Sequence, residues 1–267
     1  MFTYRIRRVV IAALLMAVPS CSSAPETPQT ATAVRVLSSN GVKAVIDDLQ
    51  PEIERTIGHT LSIEFSTAVS LKSKIEMGKA FDVAILTPAL IDDLIAQGKV
   101  AADSRVDVAR AGVGVGAQEG APVADLSTPD ALKSLLLKAK SVTFTAEGQS
   151  RSTIDRAFDR LGIADAMRPK TVLKGPGAAP AAVVAGEAEL VITLMSEILP
   201  VPGLRLLGPL PADVQGYVTF TAGRSPNATE ADAADALLRY LSGPAVTAAL
   251  KAHGLEAVVP GDATLTR

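Results

Sequence analysis

Tryptophan is absent from this 267-residue chain, aromatic residues make up 3% of it, cysteine occurs once and histidine twice. So few aromatics argue against stacking on sugars or bases as the main way of holding a ligand. A single cysteine forbids an internal disulfide, and the fold must therefore rest on its core. The histidines, His59 and His253, lie in no recognisable base motif, and no His, Cys and Asp cluster has metal-ligand spacing. The net charge of −2 leaves no concentrated basic face for a nucleic acid. No apolar stretch after residue 30 is long enough to cross a bilayer.

What is present begins with "MFTYRIRRVVIAALLMAVPSCSS": three arginines, an apolar run from Val9 to Val18, then small residues up to the lone cysteine. Residues 1–20 read as a secretory signal whose apolar part is too short for a permanent span. Val18-Pro19-Ser20-Cys21 resembles a bacterial lipobox, in which the cysteine thiol is acylated and becomes the mature N-terminus, so Cys21 is the expected lipidation site. The following "SSAPETPQTATA" has no large apolar residue to offset its ordering entropy, and residues 21–33 read as a tether. About 235 residues remain, enough for one large or two medium domains.

From Val34 onward, short β-rich runs alternate with helical ones, the pattern of an α/β layer fold with a largely parallel sheet. "VRVLS", "TLSIEF" and "FDVAIL" read as strands separated by helices, with Pro51 expected to break or restart the first helix. "RVDVARAGVGVGAQ" is extended and punctuated by glycine. Its Gly112-x-Gly114-x-Gly116 spacing is not that of a dinucleotide fingerprint, so no cofactor is expected; close backbone approach or hinge twisting explains it better. A second α/β set follows, from the Thr128-Pro129 helix start through "SVTFT", "SRSTIDRAFDRLG" and "ELVITL". The chain closes with two helices joined at Ser242-Gly243-Pro244.

The densest candidate site is "TAEGQSRSTIDRAF", residues 145–158. Gly148-Gln149-Ser150-Arg151-Ser152 follows the G-x-S-x-G nucleophile elbow only to its last position, where Ser152 replaces the glycine of the tight turn. Helix N-termini offer a second chemistry, because unpaired N–H groups and a partial positive charge bind anions without a cationic side chain. Hydroxyl-rich helix starts occur in both halves: Ser38 and Ser39, then Thr67, then Ser150 and Ser152, then Thr193 at the end of the last central strand. Each alone is an ordinary N-cap. Their repetition points to one ligand held from both halves, and a bound anion would explain why Arg151 is tolerated in a first helical turn.

Three segments, "SSNGVKAVIDDLQPEIERTIGHTLSIEF", "SKIEMGKAFDVAIL" and "VVAGEAELVITLMSEILPVPGLRLLGPLPADVQ", resemble the extracellular solute-binding proteins of bacterial ABC transporters, in the branch containing the molybdate-binding proteins. The resemblance implies a two-lobe type II periplasmic-binding fold, each lobe a mainly parallel sheet flanked by helices. Lobe 1 would comprise residues 34–111 plus 217–267 and lobe 2 residues 112–216, with crossings near Arg110 to Gly116 and Gln215 to Gly223 as the hinge. It further implies a monomeric, lipid-anchored protein of the periplasm or cell surface that performs no chemistry, binds a small anionic solute and presents it to a permease. The serine pair usual in the family's second loop is replaced by Thr67 and Ala68, and a hydroxyl lost from a dry site costs about 1–3 kcal/mol, which weighs against molybdate itself. The alternatives are a secreted serine hydrolase using Ser150 and a binding domain that senses or adheres rather than transports.

Overall fold

The computed structural model describes residues 1–2 and 33–258; Cys21 and the signal and tether segments lie outside them. In chain order, the first half holds β1 (Val34–Ser39), α1 (Lys43–Ile57), β2 (Leu61–Ser66), α2 (Ala68–Glu76), β3 (Val83–Leu86), α3 (Pro88–Ala96) and β4 (Val106–Gln118). Then come α4 (Pro129–Lys138), β5 (Val142–Thr145), α5 (Arg151–Arg160), α6 (Ala164–Met167), β6 (Thr171–Lys174), α7 (Ala179–Val184), β7 (Leu190–Leu194), α8 (Met195–Ile198) and β8 (Leu204–Pro209). The last part is β9 (Tyr217–Arg224), α9 (Ala231–Leu241), α10 (Thr247–Ala252) and β10 (Leu255–Ala257).

Every residue of β3, β5 and β7 is buried, as expected of strands covered by helices on both faces. The helices show the complementary pattern: Val45, Ile46, Leu49 and Ile53 form one buried stripe along α1. Pro51 does not break that helix, contrary to expectation. It sits on the exposed face, where water can satisfy the carbonyl it leaves unpaired, while Leu49 and Ile53 hold the buried face in place.

Strand order runs β2-β1-β3-β9-β4-β7-β5-β6, with β8 and β10 also paired to β4. Each lobe has a parallel core, β2-β1-β3 in one and β6-β5-β7 in the other. Antiparallel pairs through β3, β9, β4, β7, β8 and β10 join and border these cores. The long strand β4 is common to both lobes. Up to Gly112 it pairs with β9 and β10, and from Val113 onward with β7 and β8. The glycines here make room for a helix: a Cβ on Gly114 would lie 2.8 Å from Met195 Cγ, and one on Gly116 would lie 2.9 Å from Ile198 Cγ2, both on α8. In the first lobe, α9 and α10 pack on α1 and complete its cover.

Candidate functional site

The C-terminal ends of β1, β2, β5, β6 and β7 meet at one small cavity of about 20 Å³. One water needs about 10–15 Å³ by the same measure, so the space suits a group of a few atoms. From the first lobe come Ser39 and Asn40, after β1, and Thr67, after β2. The second lobe supplies Thr145, Gly148, Gln149 and Ser150 around the end of β5, Gly177 after β6, and Thr193, Leu194 and Glu197 around the start of α8. This is where open α/β sheets bind ligands, because each loop leads into a helix N-terminus.

The hydroxyls on its wall divide into two kinds. Ser39 Oγ accepts from the Gly41 amide at 3.4 Å, and Thr67 Oγ1 from the Ser70 amide at 3.3 Å, so both cap their helices. Each keeps its own hydroxyl hydrogen to donate. Ser150 precedes α5 in αR geometry and makes no capping bond. Ser150 is 3% exposed and Thr145 8%, and among the described residues neither side chain has a hydrogen-bond partner. Because the sole sealed, unpartnered side-chain polar atom among the described residues is the Tyr240 hydroxyl, these two hydroxyls open into the cavity. Facing the cavity, each is free to donate to an acceptor placed there.

Electrostatically the cavity is set for negative charge without a cation on its wall. Two helices of nine or more residues, α2 and α5, begin there, and the short 3-10 turn Asn40–Val42 that leads into α1 starts on the same wall. Glu197 is the one titratable group among the residues lining it. Burial pushes its carboxyl above the ordinary range, against the opposing hydrogen bond donated by Thr193. Desolvation thus works against the charged form of this half-buried side chain, and the Thr193 hydrogen bond works for it.

Two hydrogen bonds join the lobes across the cleft. Gln149 Nε2 donates to Ser39 Oγ at 3.0 Å, and Ser196 Oγ donates to the Gly41 carbonyl at 2.7 Å. Gly41 permits this approach. A Cβ there would stand 2.2 Å from Phe220 Cζ of the first lobe and 2.9 Å from Leu194 Cδ1 of the second.

Of the residues singled out from sequence, Ser39, Thr67, Ser150 and Thr193 meet at the cavity. Ser38 does not: it is fully buried one residue earlier, and its hydroxyl turns to the Ser39 carbonyl at 3.4 Å. Nor do Arg151 and Ser152. Successive residues of a helix splay about 100° apart, so with Ser150 inward its two followers face elsewhere. Ser152 is exposed. Arg151 Nε is held by Asp155 at 2.8 and 2.9 Å, its Nη1 donates to the Ala146 carbonyl at 3.3 Å, and its guanidinium lies 5.2 Å from the Phe144 ring centroid. The hydroxyl-led reading missed Asn40, Thr145, Gln149 and Glu197. For Thr145 and Gln149 the signal was their place in the same strand-to-helix loop as Ser150; for Glu197 it was the i,i+4 spacing from Thr193.

Neither histidine reaches Ser150. His59 Nε2 pairs with Glu230 at 3.3 Å, and His253 Nε2 with Asp48 at 3.2 Å, and neither lines the cavity.

The chain is 30% identical over 261 residues to an aconitate isomerase of Pseudomonas sp, a match covering 95% of this chain and 97% of that one. The fold is that of the periplasmic molybdate-binding protein of Azotobacter vinelandii, with a TM-score of 0.71 at 17% identity over 85% of this chain and 99% of that one. It is also that of the sulfate-binding protein SubI of Mycobacterium tuberculosis H37Rv, with a TM-score of 0.68 at 15% identity over 86% and 88% of the two chains. A family model described as bacterial extracellular solute-binding protein matches residues 34–256, and with the two-lobe fold and the cavity between its lobes the chain belongs to that family.

Proposed function

We propose that this protein captures a small anion between its two lobes and presents it to an ABC permease, performing no chemistry on it. The observation that carries this reading is the pair of buried, unpartnered hydroxyls of Ser150 and Thr145, set at the start of α5 opposite the Asn40–Val42 turn and the start of α2. Donors of that kind satisfy an oxyanion or a carboxylate, and the resemblance to a molybdate-binding and a sulfate-binding protein supports the same class. The binding residues of this reading are Ser39, Thr67, Thr145 and Ser150, with the helix-start amides behind them and Thr193 lining the same cavity while its hydroxyl donates to Glu197. A serine nucleophile at Ser150 is disfavoured by the distance of both histidines from the cavity. The protein acts as a monomer, tethered through lipid on Cys21 at the periplasmic or outer cell surface.

Titration calorimetry of the purified protein with molybdate, sulfate, phosphate and small carboxylates tests this. One of them should bind, and Ser150→Ala should weaken it by about 1–2 kcal/mol through loss of one donor. A variant that binds as tightly as the parent would remove Ser150 from the site, and silence toward every anion would end the reading.

A second reading is favoured by Glu197. The match to an aconitate isomerase spans nearly the whole chain, and shifting a double bond within an unsaturated tricarboxylate requires a group that takes a proton from one carbon and returns it to another. A carboxyl whose pKa is raised by burial is a group of that kind. Incubation with cis- and trans-aconitate, followed by proton NMR, separates the two. Interconversion that Glu197→Gln abolishes would make this an isomerase, and no interconversion above the blank leaves capture alone.

A further inference from the structure

The small cavity does not stand alone. It shares three wall residues, Asn40, Gly177 and Glu197, with an open groove of about 800 Å³. A lone inorganic oxyanion fills the first space and has no use for the second. The groove has its own chemistry. One wall is the first turn of α1, where the Lys43 ammonium lies 4.6 Å from the centroid of the Phe65 ring and pairs with Asp47. The other wall is apolar, with Ala178 and Pro180 at the start of α7 and Val201 after α8. Asn40 on the cavity wall and Lys43 are three residues apart, about 6 Å of tight helix along the backbone, and both line the groove, so a short carbon chain leaving the cavity runs along the wall that Lys43 belongs to.

We infer that the natural ligand is a small organic polycarboxylate, with one carboxylate in the cavity, its carbon body against the apolar groove wall and a second carboxylate beside Lys43. This rests on the anion reading and narrows it. Inorganic oxyanions would occupy only the cavity. Glu197 stands at the junction, hydrogen-bonded to Thr193, where it faces the carbon body of such a ligand rather than either of its ends. The ion pair with Asp47 is exposed on both sides, so a ligand carboxylate competes for Lys43 at little cost.

The test is titration calorimetry of the full-length protein with tricarballylate, sulfate, molybdate and acetate. Tricarballylate is expected to bind at least tenfold tighter than the other three. Lys43→Ala, an exposed change, should weaken tricarballylate by about tenfold, equivalent to 1.4 kcal/mol, and leave acetate and sulfate unchanged. Ala178→Leu fills the groove from an exposed position and should block tricarballylate while sparing sulfate. Circular dichroism and the melting temperature establish that both variants are folded; if Ala178→Leu is not, Lys43→Ala decides. Sulfate or molybdate binding more tightly than tricarballylate, or tricarballylate affinity unmoved by Lys43→Ala, overturns the inference. If no anion binds at all, the anion reading falls and this inference with it, whereas tight sulfate binding that Ser150→Ala weakens overturns this inference alone.

Discussion

Replacing Asp82 with Asn should remove the strongest polar anchor of the first lobe. Asp82 is fully buried just before β3 and accepts five hydrogen bonds. Three come from Arg35, through its amide at 2.8 Å, Nε at 2.9 Å and Nη2 at 2.8 Å. Two come from Thr229, through its amide at 2.8 Å and its hydroxyl at 3.1 Å. They tie β1 to the loop ahead of α9, and so hold the C-terminal helices to the lobe they cover. Burial alone would push the carboxyl up, but the donors outweigh it and hold its pKa at about 2, against an ordinary 3.8. That depression of about two pH units corresponds, at 1.36 kcal/mol per unit, to roughly 2–3 kcal/mol. Because the folded pKa is depressed, this stabilisation is fully present above about pH 3.8 and is lost as the pH falls toward 2. Asp82→Asn should therefore cost about 2–4 kcal/mol near neutral pH, with the neutral amide still filling the space and accepting some of the bonds. Urea unfolding followed by circular dichroism measures this at neutral pH, and a series down to about pH 2 should show a shallower acid loss in the variant than in the parent. The cleft lies at the opposite end of β3, about 13 Å along four strand residues, so anion affinity of the folded protein should survive. Equal stability at neutral pH, or an acid dependence as steep as the parent's, would refute the argument.

Two further outcomes follow from other parts of the chain. Because burial raises the Glu197 carboxyl, anion affinity should be highest at low pH and fall as the pH rises through that raised value, with Glu197→Gln flattening the dependence; calorimetry across pH reads it, and a flat parent profile would count against a protonated Glu197. The groove wall beside it also carries the Lys43–Asp47 ion pair, exposed on both sides. Cys21→Ala should release the protein from the membrane fraction or block its processing, and unchanged size with unchanged attachment on immunoblots would refute the lipid tether.

The fold was largely legible because its local signals agree with one another. Strand cores such as "VAIL" and "LVITL" carry no polar face, and only a sheet covered on both sides accepts them. Helix starts at Thr128-Pro129 and Pro88 announced themselves through capping and ring geometry. Pro51 misled because its effect depends on which helix face meets water, and that is a property of packing rather than of the residue. The site was half legible for a related reason. Hydroxyls at helix starts mark where a ligand can sit, and Ser39, Thr67, Ser150 and Thr193 do converge. Rotation about the helix axis decides which of three neighbouring residues faces inward, and nothing in "SRS" alone distinguishes Ser150 from Arg151 and Ser152. Glu197 was passed over because a carboxyl looks wrong beside an anion until its burial is known.

The absence of lysine and arginine from the cavity wall follows from what a two-lobe receptor must do. A buried cation there would need a buried partner whenever ligand is gone, and separating such a pair is costly. Helix starts carry only about half a charge each, are rigid, and need no counterion when empty. Their donors are also divided: Ser39 and Thr67 belong to one lobe, Thr145 and Ser150 to the other. Under the proposed capture, an anion would be fully coordinated only when the lobes are together, and its preference for that arrangement would be the free energy that shifts the population toward closure. The bonds from Gln149 to Ser39 and from Ser196 to the Gly41 carbonyl add neutral, exchangeable contacts to the same closure. Closure that rests on several bonds of about 1 kcal/mol each, rather than on one buried ion pair, can be undone by a competing surface, and the proposed delivery to a permease would require that.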